Sequence, residues 1–215
     1  MSHSLNNFLN IKSEVNQINS ESKIIVVTKT FPLEIIKPII DEGHNHFGEN
    51  KVQEAVEKWT DIKNKLNNRI NLHMIGKLQT NKAKFAVQLF DYIHSLDNLK
   101  LAKKISEEQL KIKKNLKLFI QVNLENERQK NGIDPEYLEN FYHTCINQFK
   151  LNIVGLMCIP PQKGDVNLYF EKMFNINKSL GLKELSMGMS SDYLEALNYK
   201  ATFIRVGSKI FGARV

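Results

Sequence analysis

Three sets of residues, far apart in the chain, are of types that could do chemistry together. Lys29 closes "SKIIVVTKTF" (residues 22–31), at the far end of a run of branched apolar residues. An amine at the mouth of an apolar interior has its pKa lowered, because burial disfavours the charged form. The neutral amine can then attack a carbonyl and make a Schiff base. A lysine that caps a strand can equally reach into solvent along its own methylene stem. Near the other end of the chain, "SMGMSSDYLEAL" (186–197) places Gly188 where backbone must come close, and Ser190 or Ser191 where either can cap a helix over 192–197. Val206, Gly207 and Ser208 form a second small, hydroxyl-bearing turn. Exposed N–H groups of two such turns can cradle an anion, although each turn alone reads equally well as a cap or tight turn. Arg205 interrupts the apolar run "TFIRVG". A guanidinium pointing inward there needs a partner, either a nearby carboxylate or an acceptor on a bound ligand.

These residues need elements to bring them together. Short runs rich in branched residues recur at 24–28, 46–48, 72–76, 92–96, 116–123, 153–157, 184–188 and 203–207. Between them lie amphipathic stretches such as "NKVQEAVEKWTDIKNKL" and "LKLAKKISEEQLKIK". Eight strands alternating with helices predict an α/β fold, a (β/α)8 TIM barrel; an open doubly wound sheet is the alternative. The second run, "HFG", is short and the fourth, "YIHSL", is half polar. Leu5, Phe8, Leu9, Ile11, Val15 and Ile18 predict an extra N-terminal helix. Residues 1–20 would form that helix, packed on a barrel of residues 21–215, with Pro160 and Pro161 in a loop. In such a barrel, chemistry gathers at the C-terminal ends of the strands, and phosphate is held after strands seven and eight. Lys29 ends strand one, and the two Gly/Ser turns follow strands seven and eight.

At 215 residues, with 42% apolar and 25% charged, the chain can bury one sizeable core and lacks the composition of a disordered or fibrous protein. Its formal charge of +7 raises the question of nucleic acid. The lysines are scattered from Lys12 to Lys209, however, and arginine occurs only at 69, 128, 205 and 214, so a generally basic surface is the better reading. Cys145 and Cys158 have no metal-binding spacing and suit a reducing compartment. "MSHSLNNFLNIKSEV" has no leader pattern, and no apolar stretch would span a membrane. A cytoplasmic protein is expected.

A carbonyl-reactive lysine, a phosphate cradle and an inward arginine suggest pyridoxal 5'-phosphate (PLP), whose aldehyde, phosphate and ring nitrogen need three such partners. The sequence also resembles the pyridoxal phosphate homeostasis protein family, single-domain relatives of the alanine racemase barrel. The segments that carry the resemblance are "VVTKT" around Lys29, "HFGENKVQE" (46–54), "LHMIGKLQTNK" (72–82), "IHSLD" (93–97), "QVNLENERQKNGI" (121–133), "GLMCIPP" (155–161), "LSMGMSSDYLEAL" (185–197) and "IRVGSKIFGAR" (204–214). The resemblance implies that Lys29 is the Schiff-base lysine and that Ser190, Gly207 and Ser208 hold the phosphate. It also implies that Asn50, Met157 and Arg205 line the ring, with Arg205 at the pyridine nitrogen. Thr28 and Ser208 stand where many members have serine and threonine; both keep a hydroxyl.

The implied function is intracellular PLP homeostasis, with the cofactor carried on the lysine and released by exchange with an incoming amine, PLP-dependent apoenzymes being the expected recipients. Two physical points agree with a non-catalytic carrier. Arginine does not readily give its proton to the ring nitrogen, which leaves the ring a poor electron sink. A racemase also needs two bases on opposite faces of one carbon, whereas this sequence offers only Lys29, and the chain stops at Val215, directly after the eighth unit, where larger racemase-like enzymes add a β-domain. The enzyme alternative is a weak amino-acid racemase or decarboxylase, and the non-enzymatic one is an RNA-binding module. A monomer is expected, with no membrane or metal partner. Lys130 could supply a second amine near the barrel mouth, and Gln79, Asn81 and Lys82 could gate the pocket or meet client enzymes.

Overall fold

The structure is a computed structural model and describes residues 2–67, 69–125, 131–161 and 163–212. Eight parallel strands close into a barrel in sequence order: β1 (Lys23–Val27), β2 (His46–Glu49), β3 (Asn71–Met74), β4 (Tyr92–Leu96), β5 (Lys117–Gln121), β6 (Ile153–Met157), β7 (Glu184–Met189) and β8 (Phe203–Val206). Closure is made by β1 on β8, with Ile25 opposite Arg205 and Val26 opposite Val206. A closed barrel leaves no edge strand, so the doubly wound alternative is excluded.

The helices alternate with the strands: α2 (Leu33–Asp41), α3 (Val52–Lys65), α4 (Ala83–Leu89), α5 (Leu99–Lys111), α6 (Pro135–Asn147), α7 (Val166–Ser179), α8 (Tyr193–Asn198) and α9 (Ser208–Phe211). An additional helix, α1 (His3–Asn19), is N-capped by the Ser2 side chain and buries Phe8, Ile11 and Val15 against α2, α8 and α9. Asn7 fixes its position by donating to the Ile210 carbonyl at 3.0 Å.

Two apolar regions hold the barrel. The larger lies between strands and helices, around Trp59, Phe47, Phe90 and Phe170. The smaller fills the inside of the barrel with Ile25, Tyr92, Phe119, Met157 and Phe203. The half-polar fourth strand proves to be buried on every residue, with His94 packed against Phe119 and Phe203 inside the barrel. No described helix is long and apolar enough to cross a membrane.

Candidate functional site

The first strand ends two residues before Lys29. Val27 is its last member, Thr28 is fully buried, and Lys29, half-buried, opens a turn in which Thr30 takes φ +67°. The turn is tied down from beneath by a carboxylate. Glu49 Oε1 accepts from Thr28 Oγ1 at 2.7 Å, from Lys58 Nζ at 2.9 Å and from Trp59 Nε1 at 2.9 Å. Lys58 Nζ also donates to the Thr28 carbonyl at 2.8 Å. A buried carboxylate is tolerable only when its charge is matched and hydrogen-bonded, and here Lys58 supplies both. Residues 49, 58 and 59 thus fix the turn that presents Lys29.

Asn50 follows directly at the end of β2. The turn after β3 presses against it so closely that a Cβ on Gly76 would lie 2.3 Å from the Asn50 carbonyl oxygen. Across the barrel mouth, β7 passes through Gly188 at φ +88° into the turn of Ser190 and Ser191. Sequence reasoning gave one of these serines the capping role. The structure gives the N-cap position to Asp192, whose Oδ1 accepts from the Met189 N–H at 2.6 Å, while Ser190 is free to face β8. Its Oγ accepts long contacts of 3.4 Å from the N–H groups of Gly207 and Lys209.

Arg205 is 4% exposed, yet its partners are uncharged. Nη1 donates to Ser186 Oγ at 2.7 Å and Nη2 to the Cys158 carbonyl at 2.8 Å. Among the described residues no carboxylate is within ion-pair distance of it, so the nearby-carboxylate option is not realised. Burial pulls its pKa below the ordinary value, but a guanidinium stays protonated. Both cysteines are free and buried, and burial pushes each thiol up to about 12, which makes them poor nucleophiles.

Lys29, Asn50, Ser190, Arg205, Gly207 and Ser208 all line one cavity of about 370 Å³ at the C-terminal mouth. Met157 does not reach that wall; it lies in the barrel's inner apolar layer. Sequence reasoning missed apolar members of the wall, notably Phe31, Ile75, Ile159 and Met189. Their signal was weak, since they stand in loops or at strand ends where no periodicity marks a face. Lys130 lies outside the described residues. Thr80–Lys82 forms a short 3-10 turn, and Gln79 and Lys82 border a neighbouring hollow that shares Asn50 with the main cavity.

Known proteins resemble this chain over most of its length. Residues 4–215 match the family described as the alanine racemase N-terminal domain. The chain is 35% identical over 202 residues to a pyridoxal phosphate homeostasis protein of Aquifex aeolicus, covering 90% of this chain and 87% of that one. The chain belongs to the pyridoxal phosphate homeostasis protein family. Another family member, from Escherichia coli K12, is 33% identical over 90% of this chain and 86% of its own. The solved structure of PipY from Synechococcus elongatus PCC7942, with PLP bound, superposes with a TM-score of 0.86 at 33% identity, covering 98% of this chain and 100% of that one. Alanine racemase from Corynebacterium glutamicum, at 13% identity and a TM-score of 0.70, shares the fold.

Proposed function

We propose that this protein binds pyridoxal 5'-phosphate in the cavity at the barrel mouth and serves cofactor homeostasis as a carrier, not as an enzyme. The observation that carries the reading is the convergence of an amine, a buried guanidinium and a Gly/Ser cradle on one cavity. The residues fit the group. A volume of about 370 Å³ is within the range of small-molecule sites, and a buried cation without a carboxylate suits an acceptor from a ligand. The names of the relatives and the PLP-bound PipY structure support the same cofactor.

When bound, the cofactor supplies an aldehyde that condenses with a primary amine. Lys29 offers that amine, while Val27, Phe31, Ile75 and Ile159 keep water from the mouth. Ser190, Ser208 and the Gly207 N–H hold the phosphate, Asn50 borders the ring, and Met157 backs the site from the inner layer. Arg205 would donate to the ring nitrogen and keep its own proton, which would disfavour carbanion chemistry. Among the described residues of the wall, Lys29 is the one amine, and racemisation needs a proton-transfer group on each face of the carbon, a poor provision for that reaction. In this reading the protein would act as a monomer in the cytoplasm and would give up the cofactor to PLP-dependent apoenzymes by exchange with an incoming amine.

Borohydride reduction of the loaded protein followed by peptide mapping tests the assignment. Label on Lys29, lost in Lys29→Ala, is expected; label on another lysine overturns it. Incubation with amino acids should give one stoichiometric exchange, and sustained turnover would establish an enzyme instead.

A further inference from the structure

Inside the barrel, an unbroken row of hydrogen bonds leads away from the cavity. Arg205 Nη1 donates to Ser186 Oγ at 2.7 Å, and Ser186 Oγ meets His94 Nδ1 at 2.9 Å. His94 Nε2 meets His73 Nδ1 at 2.9 Å, and His73 Nε2 meets His46 Nδ1 at 2.9 Å. Ser186, His94 and His73 are each fully buried. His46, half-buried at the start of β2, borders a separate hollow of about 280 Å³ beneath α1, at the opposite end of the barrel.

The arginine fixes the direction of the whole row. A guanidinium has five N–H donors and no acceptor. Ser186 Oγ must therefore accept from Arg205, and its single proton is left for His94 Nδ1. A histidine that accepts at Nδ1 carries its proton at Nε2 and donates there. His94 then donates to His73, and His73 to His46. The opposite direction would leave the Ser186 proton without an acceptor among the described residues, in a site closed to water, which is costly. A second proton on His73 or His46 would set a donor facing a donor, and one on His94 would leave the Ser186 proton without an acceptor. Burial first, then neighbouring positive charge, also holds His73 and His94 well below their ordinary pKa. Stacking sets the ring planes: His73 lies on Tyr92 with centroids 4.2 Å apart, and His94 on Phe119 at 4.2 Å.

We propose that Ser186 is a positioning residue for Arg205, held in turn by a one-way row in which His94, His73 and His46 are each protonated at Nε2 alone. Ser186 and the Cys158 carbonyl occupy two guanidinium donors and set its plane, leaving the others for the cavity. The positioning role rests on the reading in which Arg205 meets the cofactor ring; the direction of the row does not.

Two measurements separate the parts. Nitrogen-15 spectra of the wild-type protein without cofactor should show pyrrole-type Nε2 and pyridine-type Nδ1 in all three histidines. A proton on Nδ1 of His94 or His73 overturns the row, whether or not the protein ever binds PLP. In Ser186→Ala, PLP retention should fall roughly tenfold or more, the scale of one hydrogen bond to a charged group. The His94 nitrogen shifts should move with it. Unchanged retention, or a loss of cofactor with the His94 shifts unmoved, overturns the positioning role.

Discussion

Arg205 and Lys29 differ in how their surroundings have prepared them. Lys29 stands half-exposed on a turn fixed from below, while Arg205 is buried with neutral partners only. A charge kept out of water without a counter-charge does not repay its desolvation, so Arg205 is a residue retained for the site and not for the fold. Arg205→Met should therefore weaken PLP retention by about tenfold or more, from the loss of a charge-assisted bond. Its unfolding free energy should change by less than about 2 kcal/mol, because the freed Ser186 and Cys158 acceptors and the relieved charge oppose one another. Spectral titration with PLP and urea melts read the two effects separately. A collapse of stability with binding intact would make Arg205 a structural residue.

Strands and helices carry these side chains to one mouth, and most of that was legible. Runs of branched residues marked β1, β5, β6 and β8 because a parallel strand buried on both faces has no polar positions to spare. What stayed hidden depends on contacts across the barrel. Ser186 lies 19 residues from Arg205, and the Cys158 carbonyl 47, so neither partner could be read from local pattern. His94 in "YIHSL" obscured a strand for the same reason, since its partners come from β3 and β7. Met157, placed by resemblance beside the ring, belongs to the layer within. The turn after β3 gives a test at this scale. A methyl group on Gly76 would sit 2.3 Å from the Asn50 carbonyl oxygen and 2.7 Å from its Cα. Backbone cannot yield as a side-chain tip can, so Gly76→Ala should part the β2 and β3 turns. Overpacking of this kind costs about 1–3 kcal/mol. Urea unfolding should show that loss, and PLP titration a weaker affinity because Asn50 leaves the wall. Wild-type values for both would mean that the two turns are not coupled.

The whole molecule folds around imidazoles that must stay neutral, and this ties its stability to pH. Burial, first among the causes, lowers His44 to about 4 and His46 to about 3, and holds His73 and His94 well below 6.5. In the unfolded chain all four return to an ordinary value near 6.5. Below that pH the unfolded state binds more protons than the folded one, so acid favours unfolding. The stabilisation is complete above about 6.5 and is lost as pH falls toward the folded values, by up to about 1.4 kcal/mol per pH unit for each histidine. Glu108, lowered to about 2 chiefly by its hydrogen bond to Lys104, reaches half-protonation in the unfolded chain only at about 4.5, so it contributes little above that pH. The four histidines therefore set the direction of the change from 6.5 to 4.5, opposed among the described residues by Asp192 alone, whose carboxyl pKa burial raises. Trp59, the single tryptophan and fully buried, reports unfolding directly. Urea melts followed by its fluorescence should give a midpoint that declines slightly from pH 8 to 7, where Lys114, lowered to about 8 by burial, gains its proton, and that falls more steeply from 6.5 to 4.5. His46→Phe, which removes the least buried member of the row, should make that fall shallower by one group's share. A midpoint that did not move between pH 7 and 5 would mean that the imidazoles accept protons in place, and the barrel interior would then be wet.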